Sequence, residues 1–141
     1  MPIRSIFTAV EEARGSIENL SVDQLKAELE RDPQLLVLDI RELQERVDLG
    51  TIPGSQHVPR GMLEFWADPN SPYYREFFQE HRRTVLFCAA GGRSALAARA
   101  LIDMGFSNVA HLEAGFAGWE SAGEPIEDVS VTSRWIRRDK A

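Results

Sequence analysis

The sequence predicts an α/β domain built on a parallel sheet, and three observations predict it. Thr84–Met104 reads as one strand–turn–helix unit. Leu35–Leu38 is a strand with both faces apolar, which suits the middle of a covered sheet. Elsewhere, short apolar runs alternate with segments of helical period.

In chain order, Met1–Arg14 sets Ile3, Ile6, Phe7, Val10 and Ala13 at helical spacing. The expected amphipathic helix packs over one end of the domain or, alternatively, meets a partner or a second copy. Gly15 ends it. Ile17–Leu20 follows as a short strand. Ser21 then caps a helix over Val22–Glu30, with Gln24 completing a capping box and Val22, Leu25 and Leu29 on one face.

After Asp32-Pro33, the strand Leu35–Leu38 ends at Asp39. Strand carboxyl ends line the ligand crevice of open parallel sheets, so Asp39 and Arg41 are expected on the edge that carries Cys88. Their expected work is supporting: Asp39 bonds loop amides or an arginine, and Arg41 holds the neighbouring loop.

Arg41–Leu49 reads as a helix ended by Gly50, before a turn at Pro53-Gly54 and a brief strand, Gln56–Val58. His57 is read as a hydrogen-bonded structural residue, because no carboxylate pattern marks a triad. Two helical stretches, Gly61–Ala67 and Tyr73–Arg82, are expected around Asp68–Pro72. Their aromatics, Phe65, Trp66, Tyr73, Tyr74, Phe77 and Phe78, are expected mostly in the core, with one or two at the mouth of a pocket.

Thr84–Phe87 is a buried strand that delivers Cys88, the single cysteine, to its end. Ala89, Ala90, Gly91 and Gly92 leave the backbone open to approach, and the glycines permit turns that wrap amides around a point. In the helix Ser94–Met104, Leu96, Ala97, Ala100, Leu101 and Met104 form the apolar face and Gly105 is the stop. Its N-terminus and Arg93 bring positive charge to the loop. A free thiol of pKa about 8.5 is only a few per cent ionised at neutral pH. Lowering it by about 2 units takes roughly 2.7 kcal/mol, within reach of several amides and one arginine. Cys88 is therefore the candidate nucleophile. Past Asn108, a strand Val109–Leu112 turns through Glu113-Ala114-Gly115 into a short helix reaching Trp119.

One hundred and forty-one residues suit one domain, and 43% hydrophobic with 27% charged residues suits a globular one. A net charge of −6 and a pI near 5.1 argue against nucleic acid as a partner. One cysteine excludes an internal disulfide framework, three scattered histidines lack metal-ligand spacing, and no cofactor is indicated. The longest apolar run, Val85–Ala90, is too short for a bilayer, and Met1–Val10 lacks a signal-type stretch. A cytoplasmic protein with no membrane partner is expected.

FCAAGGRS around Cys88, LDIRE at Leu38–Glu42, IPGSQHVP at Ile52–Pro59 and HLEAGFAGW at His111–Trp119 together resemble a single-domain rhodanese, a sulfurtransferase domain. The resemblance implies a three-layer α/β fold, with a central parallel sheet and helices on both faces. It implies a persulfide on Cys88, held by Ala89, Ala90, Gly91, Gly92, Arg93 and Ser94. Thr51 stands where many relatives have histidine, and Phe87 where tyrosine is frequent. The expected layout is a helical extension over 1–16, the rhodanese-like domain over 17–128 and a basic tail over 129–141. In that tail Arg134, Arg137, Arg138 and Lys140 surround Trp135 and Ile136. A solvated tail is expected, with docking of Trp135 as the alternative.

The implied reaction moves sulfur from thiosulfate or a similar small donor to a thiol, cyanide or protein acceptor, and a homodimer is compatible with it. Two other readings remain. A cysteine phosphatase or arsenate reductase also uses an amide cradle ending in arginine, but phosphatases of that type have five residues between the two, where Cys88 and Arg93 enclose four. A rhodanese-like module could instead bind a partner or sense redox state.

Overall fold

The computed structural model of the protein describes residues 2–133. Five strands, β1 (Glu18–Leu20), β2 (Leu36–Asp39), β3 (Gln56–His57), β4 (Thr84–Phe87) and β5 (Val109–Leu112), pair in parallel in the order β1-β5-β4-β2-β3. Six helices connect or flank them: α1 (Ile6–Arg14), α2 (Val22–Arg31), α3 (Leu43–Leu49), α4 (Leu63–Ala67), α5 (Gly92–Met104) and α6 (Gly115–Ser121). β4, the central strand, is buried along its whole length, as its unbroken apolar run requires.

Strand alternation divides the core in two. Leu36, Leu38 and Leu86 face Leu63 and Ala67 of α4 and Ala97, Ala98 and Leu101 of α5. Val37, Val85, Phe87 and Ala110 face the other way, against Leu25 of α2 and Phe116 and Trp119 of α6. Helices therefore cover both faces. Burying one Leu or Phe side chain contributes about 1.5–3 kcal/mol, so these two layers carry most of the fold's stabilisation.

The Ser21–Gln24 capping box of α2 is present in both directions. α1 begins at Ile6, after an extended Ser5, and packs Val10 and Ala13 on Ala95 of α5, while Ile3, Ile6 and Phe7 stay exposed. α3 starts at Leu43 rather than Arg41, because Glu42 is its extended cap and closes a capping box with Glu45.

One expected helix is absent. Within Tyr73–Arg82, the N–H groups of Tyr74, Phe78 and Arg82 bond carbonyls three residues back, and that of Arg75 bonds Trp66, so no four-residue ladder forms. The side chains are required in different places. Phe78 is buried in the core with Tyr74 and Phe77 against it, whereas Tyr73 turns out to meet exposed Phe65 at 6.5 Å. Arg82 also takes the carbonyls of Phe77 and Gln34. Phe65 and Tyr73 thus depart from the expected core.

An antiparallel bridge between Thr51 and Glu127 fastens the segment after α6. Val129–Val131, expected within a solvated tail, forms a single 3-10 turn capped by Asp128. Arg134, Trp135, Ile136, Arg137, Arg138 and Lys140 lie outside the described residues. Among the described residues no helix is long and apolar enough to cross a membrane, and no cluster of His, Cys, Asp or Glu is arranged to hold a metal ion.

Candidate active site

β4 ends at Phe87, and the next residue, Cys88, lies at the carboxyl edge of the sheet, buried to 1% exposure. The chain then turns through Ala89 and Ala90 to Gly91, whose φ of 94° lies in the left-handed region, and enters α5 at Gly92. This turn folds two amides back onto the sulfur. The N–H of Gly91 donates to Cys88 Sγ at 3.2 Å and that of Ser94 at 3.4 Å.

Loop 88–91 is pressed against the turn leading into α6. A side chain at Gly91 would place its Cβ 2.2 Å from the Glu113 carbonyl oxygen, and one at Gly115 would lie 2.4 Å from that of Ala89. The N–H groups of Phe116 and Ala117 donate to the carbonyls of Cys88 and Ala89 at 2.8 and 3.0 Å. The loop's carbonyls thus point at α6, leaving its amides for the sulfur.

Burial pushes the Cys88 thiol up; a hydrogen bond from the Ser94 hydroxyl, where its hydrogen faces the sulfur, and those from the amides of Ser94, Gly91 and Ala90 pull it down, to below its ordinary value. Arg93 adds its charge in the first turn of α5. Its guanidinium is gripped by both oxygens of Glu45, at 2.8 and 2.9 Å, and the Cys88 sulfur adds to the hold on its proton. Glu45 is itself held below its ordinary value, first by the hydrogen bonds of Arg93, against burial.

Asp39 and Arg41 reach the same edge but do not touch the sulfur. Burial pushes the Asp39 carboxyl up, and the Arg41 hydrogen bonds and the charges of Arg41 and Arg46 bring it below its usual value. Arg41 binds both Asp39 oxygens, at 2.9 and 2.8 Å, and donates to the Gly50 carbonyl at 2.7 Å. Its guanidinium stacks 4.4 Å from the Phe116 ring centroid, beneath the residue whose amide anchors Cys88. Thr51 bonds Asp39 at 2.9 Å and Ser55 at 2.8 Å. His57 Nε2 meets the Arg41 carbonyl at 2.8 Å, a structural contact as expected.

Four contributors were not anticipated: Glu45, Asn19, His111 and Arg14. His111 Nδ1 is 2.8 Å from Ser94 Oγ and its Nε2 is 2.7 Å from Asn19 Oδ1, while Ser94 Oγ is 3.5 Å from Cys88 Sγ. Arg14 lies behind the loop, its guanidinium 3.1 Å from where a Gly91 Cβ would be. One signal was present: a histidine inside the otherwise apolar strand Val109–Leu112 must find polar partners.

A strand-borne cysteine in an amide loop, on this parallel sheet, is matched by family comparison. A profile of the rhodanese-like domain matches residues 21–122. The chain belongs to the rhodanese-like domain family. It is 30% identical over 113 residues to the putative sulfur carrier protein YrkF of Bacillus subtilis (strain 168), covering 80% of this chain and 56% of that protein. The chain thus spans little more than half of that relative. It is 30% identical over 109 residues to the putative sulfurtransferase YtwF of the same organism, covering 77% of this chain and 96% of YtwF. A solved structure from Rhodopseudomonas palustris CGA009, RPA3614, described as of unknown function and a possible tyrosine phosphatase, superposes with a TM-score of 0.84 at 46% identity. That match covers 90% of this chain and 99% of the other.

Proposed function

We propose that the protein is a sulfurtransferase that carries sulfane sulfur as a persulfide on Cys88. The observation that supports this best is the small amide ring at the sulfur. Gly91 and Ser94 donate to Sγ at 3.2 and 3.4 Å, and only four residues separate Cys88 from Arg93. Such a ring suits one added sulfur atom better than a tetrahedral phosphoryl group. The similarity to YrkF, a putative sulfur carrier protein, and to YtwF, a putative sulfurtransferase, supports this reading.

With thiosulfate as donor, the Cys88 thiolate attacks the outer sulfur. A new S–S bond forms, the donor's S–S bond breaks, and sulfite leaves with that bond's electron pair. The persulfide anion is held by the amides of Ala89, Ala90, Gly91, Gly92 and Ser94, and by Arg93. A nucleophile such as cyanide or a thiolate then takes the terminal sulfur and returns Cys88 as thiolate. The kinetics are ping-pong.

The description of RPA3614 favours a second reading, phosphatase chemistry at the same cysteine. Intact-protein mass spectrometry after incubation with thiosulfate, then cyanide, tests the first, with Cys88→Ser alongside. The expected result is a gain of one sulfur that cyanide removes and the serine variant never acquires. No gain in folded protein, together with Cys88-dependent hydrolysis of an aryl phosphate, would replace sulfur transfer by the phosphatase reading.

A further inference from the structure

Behind Cys88, hydrogen bonds run inward through three side chains, and their donors and acceptors follow from their partners. Asn19 Nδ2 lies 3.0 Å from the Arg14 carbonyl oxygen and 3.2 Å from that of Ile17. Carbonyls only accept, so the amide nitrogen belongs on that side and Oδ1 faces His111 Nε2. Nε2 therefore carries the hydrogen, and Nδ1 of the neutral ring is an acceptor. The Ser94 hydroxyl gives its one hydrogen to Nδ1 at 2.8 Å. Toward Cys88, at 3.5 Å, it presents a lone pair that accepts from the thiol.

We infer that His111 is a positioning residue for Cys88: by engaging the Ser94 hydroxyl hydrogen, it keeps the Ser94 oxygen as acceptor of the thiol proton and so opposes ionisation of the sulfur. A thiolate must either face that lone pair or pull the hydroxyl hydrogen round to itself, stranding the buried Nδ1. The backbone amides of Gly91 and Ser94 cannot turn. They favour the thiolate, and the Ser94–His111 pair restrains it.

The surrounding groups keep the ring neutral. His111 faces Ser94 of α5, Asn19 of β1 and the charge of Arg14 from α1. Burial, with Arg14 second, pushes its pKa down to about 4. Cys88 faces Arg93 of α5, which Glu45 of α3 holds. The inference rests on Cys88 being the reacting sulfur, whatever the electrophile. In sulfur transfer it has a further consequence, because a persulfide carries its charge one atom beyond Sγ and escapes the restraint. The network then favours the loaded sulfur over the free thiolate.

The native protein gives the first test. Imidazole 15N NMR should show His111 with hydrogen on Nε2 and none on Nδ1 from about pH 8 to about pH 5.5, well above the depressed pKa. A hydrogen on Nδ1, or an imidazolium in that range, would overturn the inference. The second test is the pH dependence of Cys88 alkylation by iodoacetamide. In His111→Leu the freed hydroxyl turns to the thiolate, and alkylation below the native midpoint should rise about tenfold, the scale of one hydrogen bond to a charged acceptor. His111→Asn, with its oxygen where Nδ1 was, should restore native behaviour. In a Ser94→Ala background, His111→Leu should change nothing. An equal rise without Ser94, or no rise with it, overturns the inference. The NMR arm needs no variant and can overturn the inference even if His111→Leu does not fold. Failure of thiosulfate loading with these shifts intact counts against sulfur transfer alone.

Discussion

On the proposed reading, Arg93 matters to chemistry more than to stability. Its pair with Glu45 leaves the two side chains 41% and 28% exposed, and exposed pairs of this kind contribute about 1 kcal/mol or less. Its charge at the sulfur is a different matter, since removing one such stabilising donor costs about 100-fold or more in rate. Arg93→Ala should therefore slow sulfur loading by about 100-fold, read by mass spectrometry over time, while its thermal midpoint stays near native. An unchanged loading rate would remove Arg93 from the mechanism. Glu45→Gln, which keeps an acceptor but loses its charge, should fall between the two. Cys88, Arg93 and Ser94 were legible as neighbours because they share one loop. Glu45 and His111 were not, being 43 residues before and 23 after Cys88 in the chain. Only sheet order brings α3 and β5 to the two sides of β4.

At the level of elements, the β4–loop–α5 unit depends on contacts the sequence does not show. The glycine at 91 was legible as a turn residue, but its second constraint comes from Glu113, a carbonyl on another loop. Gly91→Ala should cost about 1–2 kcal/mol for its left-handed backbone and about 1–3 kcal/mol more for the overlap at 2.2 Å. Gly105→Ala, at φ 114° with open space around it, should show the backbone cost alone. Denaturant midpoints compare the two, and equal losses would mean that the Glu113 contact yields freely. All five strands and six helices were legible, from the runs of β2, β4 and β5 that are apolar on both faces to the helical spacing of α1, α2 and α5. Tyr73–Arg82 was misread because its aromatics mimic helical spacing while serving the core, the surface and a ring pair in succession. Such a segment follows the shape of its surroundings, which no local pattern encodes.

Across the whole molecule, buried titratable groups predict a two-stage loss of stability in acid. His111 is held to about 4 from an ordinary 6.5, first by burial and then by Arg14. Between those values the unfolded chain binds a proton there that the folded chain refuses, so stability must fall as pH drops through this window, by about 3 kcal/mol in all. Asp39 acts lower. Burial pushes its carboxyl up and Arg41 with Arg46 pulls it down by more, to below the ordinary 3.8. Glu18, held by Arg83, and Glu45, held by Arg93, lie below the ordinary 4.5 by the same balance of hydrogen bonding against burial. These three contribute fully above the ordinary carboxylate range and lose their contribution as pH falls through their lowered folded values. Urea unfolding at about pH 7.5, 5.5 and 4 should show the first decline in the native protein. In His111→Asn that decline should vanish, and only the carboxylate decline below about pH 4 should remain. A native protein equally stable at pH 7.5 and 5.5 would mean that the His111 ring takes a proton inside the fold as readily as outside it. The restraint on Cys88 would then have no neutral ring to act through, so this stability profile and the alkylation profile stand or fall on the same imidazole.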